Sequence, residues 1–269
     1  MEVRKVQITG GSTYTVSLSK EWTTETGIEA GQELAFYPDG DTLIAASPIA
    51  NEARTTLSIE DASLQELESQ IVTLYVNGFD EIAFEADRIA TDQRRVIRST
   101  AQTLTGFEVS TETETRIVLQ DFLDASELSI HDTVMQMRLL SLSMLEDATE
   151  ALFEEQPGTA EEISERDDEV DRLWHVTSRL FRSVLRAPRV AASTDLGNES
   201  YFDYRTCARQ IERIADHTVK IASHSDELET LPENIREPFA ALKNESHEVV
   251  ENAMDAFLVD HCHPCVLRR

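Results

Sequence analysis

The chain has 269 residues, of which 51 are Asp or Glu and 24 are Lys or Arg, giving a formal net charge of -27. This excess of carboxylates repels nucleic acid at long range, which excludes a general nucleic-acid-binding protein and leaves only local basic patches for DNA contacts. The sequence contains no apolar run of the roughly 20 residues that a membrane span needs, and its N-terminus has no apolar signal region. We therefore expect a cytoplasmic protein of two or three domains, with the acidic surface typical of halophiles.

Residues 1–48 are predicted to form a small domain of short strands. Polar and apolar side chains alternate in three stretches, and Gly10-Gly11 and residues 38–41 supply turn residues between them. Ser19 is a suitable N-cap for one short helix, which ends near Gly27. A unit this small builds little core of its own, so we expect it to dimerise.

Residues 49–124 are predicted to form a small α+β connector. Leucine and isoleucine recur at helical spacing in residues 64–74, and Asn77-Gly78 can end that helix in a left-handed cap. A strand, a second helix from about Thr91 to a break at Gly106, and two further strands are expected to follow. The alternative is a β-hairpin whose turn is Asn77-Gly78.

Residues 125–260 have a helical pattern throughout, and residues 261–269 form a tail. The helical pattern is broken around residues 156–160, 186–200 and 231–232. These breaks predict four long helices, which we expect to pack as an all-α antiparallel bundle.

Two pairs of acidic residues border the apolar stripes of two of these helices. Glu212 and Asp216 are one helical turn apart, at an angle of about 40° around the axis, and Asp167 and Asp171 repeat this spacing on the preceding helix. Carboxylates crowded between helices repel one another, and a bound cation relieves that repulsion. Oxygen ligands suit hard ions such as Mg²⁺, Mn²⁺ or iron. The alternative is that both pairs belong to solvated faces, which any acidic helix produces by chance.

The segments that carry these pairs, "ERDDEVDRL" and "RQIERIADHTVKIA", resemble the two helical signatures of the PhoU-type phosphate-uptake regulators. That family has E/D-x-x-x-D motifs that bind clusters of metal ions. The resemblance implies that Asp167, Asp171, Glu212 and Asp216 are metal ligands, with iron, manganese or magnesium as the ion. It also implies a regulator rather than an enzyme, with the ATPase of a phosphate transporter or a sensor kinase as its protein partner.

The C-terminal region departs from the family pattern. Family members usually complete two three-helix repeats, whereas this sequence supplies one repeat and a fourth helix, so we expect a shortened bundle. His261, Cys262, His263 and Cys265 crowd into the tail instead. A zinc site is one interpretation of this tail, although its spacing is tighter than that of familiar structural zinc sites.

Residues 3–48 resemble the swapped-hairpin DNA-binding module of the AbrB and SpoVT type in its archaeal form. The resemblance lies in the glycine turn, in "TVSLSKEW" and "GIEAGQEL", and in the closing hairpin. It implies a homodimer with interleaved hairpins, in which Arg4, Lys5 and Lys20 face DNA. Acidic residues outnumber basic residues in this module, so a domain that only dimerises is the alternative.

Two functional hypotheses follow. In the first, the protein is a metal-binding regulator of phosphate uptake whose N-terminal domain dimerises and contacts promoter DNA. In the second, it is an AbrB-type transcriptional regulator whose helices serve oligomerisation only. A carboxylate-bridged metalloenzyme is disfavoured, because the bundle helices lack the Glu-x-x-His pairs of the di-iron proteins.

Overall fold

The computed structural model describes residues 3–39, 42–46, 53–123, 128–153, 158–186, 198–225 and 232–262. The chain divides into two compact units, Met1–Ala50 and Asn51–Arg269. In the described part of the chain, no helix is long and apolar enough to cross a membrane.

The first unit contains two antiparallel hairpins and one short helix, as predicted. Its strands are β1 (Gln7–Thr9), β2 (Thr13–Thr15), β3 (Ala35–Asp39) and β4 (Thr42–Ala46), of which β1 pairs with β2 and β3 pairs with β4. Gly10 and Gly11 in the first turn have φ angles of 64° and 81°, which glycine adopts with little strain. Helix α1 (Lys20–Glu25) follows Ser19 as its N-cap residue, although the Ser19 side chain makes no capping hydrogen bond.

This unit has no buried core within the single chain. None of its described side chains is buried. Nine large apolar side chains are exposed: Val3, Val6, Ile8, Tyr14, Val16, Leu18, Trp22, Phe36 and Leu43. Since burial of apolar surface is the main force that stabilises a fold, the isolated monomeric unit lacks its principal source of stability.

The second unit begins with a four-stranded sheet in the order β5-β6-β8-β7. The strands are β5 (Arg54–Ser58), β6 (Glu81–Glu85), β7 (Phe107–Glu112) and β8 (Arg116–Asp121). Strand β5 is parallel to β6, and the other two pairings are antiparallel. Strand β5 was not predicted, because a five-residue edge strand is defined mainly by pairing with a distant partner.

Two helices pack with this sheet around one apolar core. Helix α2 (Leu64–Val76) begins with a capping box between Ser63 and Glu66, and α3 (Thr91–Thr103) follows β6. Helix α2 ends with Asn77 as its C-cap, followed by Gly78 at a φ of 78°. The predicted helix is confirmed, and the alternative hairpin around Asn77-Gly78 is wrong.

Four long helices complete the second unit, as predicted. They are α4 (Ile130–Ala151), α5 (Thr159–Arg186), α6 (Asn198–Ser225) and α7 (Glu233–Cys262). Helices α4, α5 and α6 build the core of the bundle, whereas Met254 is the one fully buried residue among the described side chains of α7. The predicted tail begins inside α7, and His263 and Cys265 lie outside the described residues.

Arg179 of α5 joins the bundle to the α+β module. Its Nη1 donates hydrogen bonds to the carbonyl oxygens of Tyr75 and Phe79 at 2.8 and 2.9 Å. Its Nε donates to Oδ2 of Asp121 at 3.1 Å, and its Nη2 contacts Asp121 and Asp80. The guanidinium also lies over the Tyr75 ring, 4.9 Å from its centroid. This buried cation therefore fixes α5 against the module that precedes the bundle.

Candidate functional site

The four predicted metal ligands lie where α5 packs against α6. Asp167 and Asp171 are half-buried on α5, whereas Glu212 on α6 is buried and Asp216 is exposed. Buried apolar residues adjoin both pairs, among them Val170 of α5. The carboxylates therefore border the apolar contact between the two helices, and we call them the acidic seam.

The carboxylates of the seam influence one another across the two helices. Burial raises the pKa of Asp167 to about 6, and the charge of Asp216 is the next largest cause. Burial also raises the pKa of Asp171 to about 6, followed by the charges of Asp167 and Glu212. The two pairs therefore lie close enough for their charges to interact.

Glu212 is the most buried member of the seam, at 7% exposure. Burial raises the pKa of its carboxyl group, and the neighbouring Arg209 opposes that effect. Nη1 of Arg209 donates a hydrogen bond to Oε1 of Glu212 at 2.6 Å. Oε2 of Glu212 is buried and has no hydrogen-bond partner in the described structure. A buried carboxylate oxygen without a donor is costly, so its surroundings favour either a proton on this carboxyl group or a nearby cation.

The seam has the donor chemistry of a hard-cation site without a complete set of ligands in position. Over the described residues, no group of three or more His, Cys, Asp or Glu side chains is arranged to hold a metal ion. Carboxylate oxygens are nevertheless the ligands that magnesium and manganese prefer. The donors therefore fit a hard cation in their chemistry, whereas the described residues do not place three of them around one position.

The raised pKa values of Asp167 and Asp171 predict that the stability of the metal-free protein depends on pH. Both pKa values are about 6 in the folded chain, against a usual value of 3.8 for Asp. Between pH 3.8 and 6 the folded chain therefore binds more protons at these two aspartates than the unfolded chain does. The free energy of unfolding consequently falls as pH rises through that window. We expect Asp167→Asn with Asp171→Asn to stabilise the metal-free protein at pH 7 by on the order of 1 kcal/mol, after allowance for solvent screening.

Denaturant unfolding in the presence of a chelator measures this effect. The gain from the double substitution should disappear at pH 4, where both aspartates are protonated in the folded chain. An equal gain at pH 4 and pH 7 would show that the carboxylates are not destabilised by their surroundings.

The other predicted residues lie elsewhere. Arg4 and Lys5 precede β1 and Lys20 begins α1, and all three are exposed in the first unit. His261 and Cys262 are the last residues of α7, and their side chains are outside the description. The zinc interpretation of the tail is therefore untested.

Sequence reasoning missed a cluster of arginines beside the seam. The guanidinium of Arg205 lies over the ring of Trp174 at 5.0 Å, and that of Arg209 lies over the same ring at 5.6 Å. The spacing of Arg205 and Arg209, one helical turn apart on α6, is visible in the sequence. Only the packing of α5 on α6 shows that the ring of Trp174 contacts both guanidinium groups.

Comparison with known proteins bears on these helices. Residues 134–224 match the PhoU domain. The match begins in α4, contains all of α5 and extends through α6 to His224, so that it includes the whole acidic seam. The first unit, the sheet and α7 lie outside the match. No curated protein and no solved structure matches the chain.

Proposed function

We propose that this protein is a metal-binding regulator of phosphate uptake or phosphate signalling, and that it is not an enzyme. The proposal is carried by one observation: the segment that matches the PhoU domain contains four carboxylates that border the contact between α5 and α6. The ATPase of a phosphate ABC transporter or a sensor kinase would be its protein partner. It would act in the cytoplasm, and its acidic surface suits a halophilic cell.

Asp167, Asp171, Glu212 and Asp216 would hold the metal, with iron, manganese or magnesium as the ion. A cation at the seam would offset the repulsion between the two aspartates of α5 and the acids of α6. It would also supply the positive partner that Oε2 of Glu212 lacks among the described residues. Bound in this way, metal would hold α5 and α6 together and make their packing dependent on metal supply.

Elemental analysis tests the metal site. We expect the wild-type protein, purified without chelator, to contain stoichiometric metal, and the variant Glu212→Gln with Asp216→Asn to contain none, because both ligands on α6 are lost. The matched control is Glu161→Gln with Glu165→Gln, which removes two exposed acids of the same spacing from α5. The control should retain its metal.

The same variants test the regulatory role in cells that lack the chromosomal gene. Wild type and the Glu161/Glu165 control should restore the normal dependence of phosphate uptake on external phosphate, and the Glu212/Asp216 variant should not. Absence of metal from wild type, even after soaking with iron, manganese and magnesium salts, would contradict the metal site. Normal phosphate control in the deletion strain would contradict the regulatory role.

The N-terminal unit is proposed to form a homodimer with interleaved AbrB-like hairpins. The absence of buried side chains among its described residues supports this, since a second copy would supply the missing core. Arg4, Lys5 and Lys20 are exposed and would be doubled by dimerisation, which makes a local basic patch large enough to contact DNA phosphates.

The alternative function is an AbrB-type transcriptional regulator in which the helices only oligomerise. The exposed basic residues of the first unit favour it. It differs from the main proposal in one outcome. Binding to promoter DNA would be tight, sequence-selective and unchanged in the variant that lacks the carboxylates of Glu212 and Asp216.

A further inference from the structure

Arg205 and Arg209 lie over one ring beside the acidic seam, and Arg182 directly follows Phe181, whose ring also lies beneath Arg205. We call Arg182, Arg205 and Arg209 the arginine cluster. Burial lowers the pKa of Arg205, and the positive charges of Arg182 and Arg209 lower it further. Arg209 is paired with Glu212. In the described part of the chain, Arg182 and Arg205 make no ion pair and no hydrogen bond through their side chains.

Aromatic rings of α5 hold part of this cluster in place. The guanidinium of Arg205 lies 5.0 Å from the ring centroid of Trp174 and 5.6 Å from that of Phe181. Arg209 shares Trp174, at 5.6 Å. Stacking on a ring occupies the face of a guanidinium and leaves the N–H groups at its edge free to donate. These donors are therefore oriented before any ligand arrives.

An arginine cluster without enough carboxylates is unexpected in this chain. With 51 acidic residues against 24 lysines and arginines, acidic partners are abundant. Arginines elsewhere in the described structure contact a carboxylate, among them Arg54, Arg94, Arg98, Arg116, Arg138, Arg166 and Arg179. Positive charges kept together against this background favour an anion that comes from outside the chain.

We propose that Arg182, Arg205 and Arg209 bind a phosphate group, carried either by inorganic phosphate or by a small phosphate ester. Guanidinium groups form charge-assisted, paired hydrogen bonds with phosphate oxygens, and three of them supply enough charge for a dianion. The inference rests on the proposed function only in the choice of phosphate among oxyanions. The arrangement of the arginines stands without it.

Arg209 connects the arginine cluster to the acidic seam, because it is hydrogen-bonded to Glu212. Its Nη1 donates to Oε1 of Glu212, so a phosphate that draws Arg209 away would take from Glu212 its hydrogen-bond donor. Glu212 would then have two buried oxygens in need of a cation. Phosphate binding and cation binding are therefore expected to favour each other through this one side chain.

Isothermal titration calorimetry on the full-length, metal-free protein tests the proposal, with inorganic phosphate in one arm and AMP in the other. We expect saturable binding to one site in at least one arm. Arg182→Gln and Arg205→Gln should each weaken it at least about tenfold, because each removes charge-assisted hydrogen bonds. Arg172→Gln removes an exposed arginine that lies on α5, as Arg182 does, but outside the cluster. This variant should bind with unchanged affinity.

Arg182 is exposed, and among the described residues its side chain makes no hydrogen bond or ion pair. Its substitution should therefore leave the circular dichroism spectrum unchanged even if Arg205→Gln unfolds. Binding in the AMP arm alone would identify a phosphate ester as the ligand. No saturable binding in either arm, or equal affinity in Arg182→Gln and wild type, would overturn the proposal. The metal site and the regulatory role are tested by different measurements, namely metal content and phosphate control in the Glu212/Asp216 variant. A failure to bind phosphate would therefore leave those two tests unaffected.

Discussion

Replacement of Arg179 by Met is expected to lower the free energy of unfolding by about 3–5 kcal/mol. The substitution keeps an apolar stem of similar length and removes the guanidinium that contacts the carboxylate of Asp121 and two backbone carbonyl groups. The side chain of Asp121 is 10% exposed, so its charge would be left buried without a cation, and among the described residues only the backbone N–H of Leu123 would still donate to it. Denaturant unfolding followed by circular dichroism measures the loss.

Two further variants separate the buried charge from loss of packing. Adding Asp121→Asn to Arg179→Met should recover part of the loss, since the uncompensated charge is then gone. Arg186→Gln alters an exposed arginine that also contacts the α+β module, through the carbonyl oxygen of Gly78, and should cost less than about 1 kcal/mol. A loss below that level for Arg179→Met would show that α5 does not depend on this cation.

The protein is expected to be a dimer that Ile8→Asp with Tyr14→Asp converts to monomer. Ile8 and Tyr14 are opposite each other in the first hairpin and so project from the same face, where they are 63% and 73% exposed. Burial of each side chain contributes about 1.5–3 kcal/mol, and each occurs twice in a symmetric dimer. We therefore expect the dimer to weaken more than about 100-fold, as measured by analytical ultracentrifugation.

The matched control places the same charges on the other face of the hairpin. Gln7 and Thr15 are also opposite each other in the register, and both are exposed. Gln7→Asp with Thr15→Asp should leave the association constant within about threefold of wild type, since exposed substitutions change free energies by only about 0.5 kcal/mol. A wild-type protein that sediments as a monomer, or equal weakening by both variants, would contradict a dimer built on the Ile8 face.

Elements with strong local signals were predicted from the sequence. Helix α2 was predicted because its apolar residues have helical spacing and because Asn77 and Gly78 end it, and the structure confirms both. Strand β5 was missed, since its five residues alternate only weakly and it is defined by pairing with β6, which follows a complete helix. Local spacing therefore predicts an element well when the element is stabilised locally.

The sequence by itself determined the helical spacing of the two acidic pairs and the four long helices that carry them. Helical periodicity is enough for this, because residues one turn apart share a face in any helix. It could not tell whether Asp167 and Asp171 would meet Glu212. That depends on the packing of α5 on α6, which also buries Glu212 and raises the pKa of both aspartates.

Only the tertiary structure shows that the residues of the arginine cluster lie close together. Arg205 and Arg209 belong to α6, but Arg182 and the rings of Trp174 and Phe181 come from α5. Burial, stacking and mutual repulsion are properties of groups brought close in space, and no spacing along one helix encodes them. The sequence thus determined which chemical groups each helix presents, and packing decided which of them share an environment.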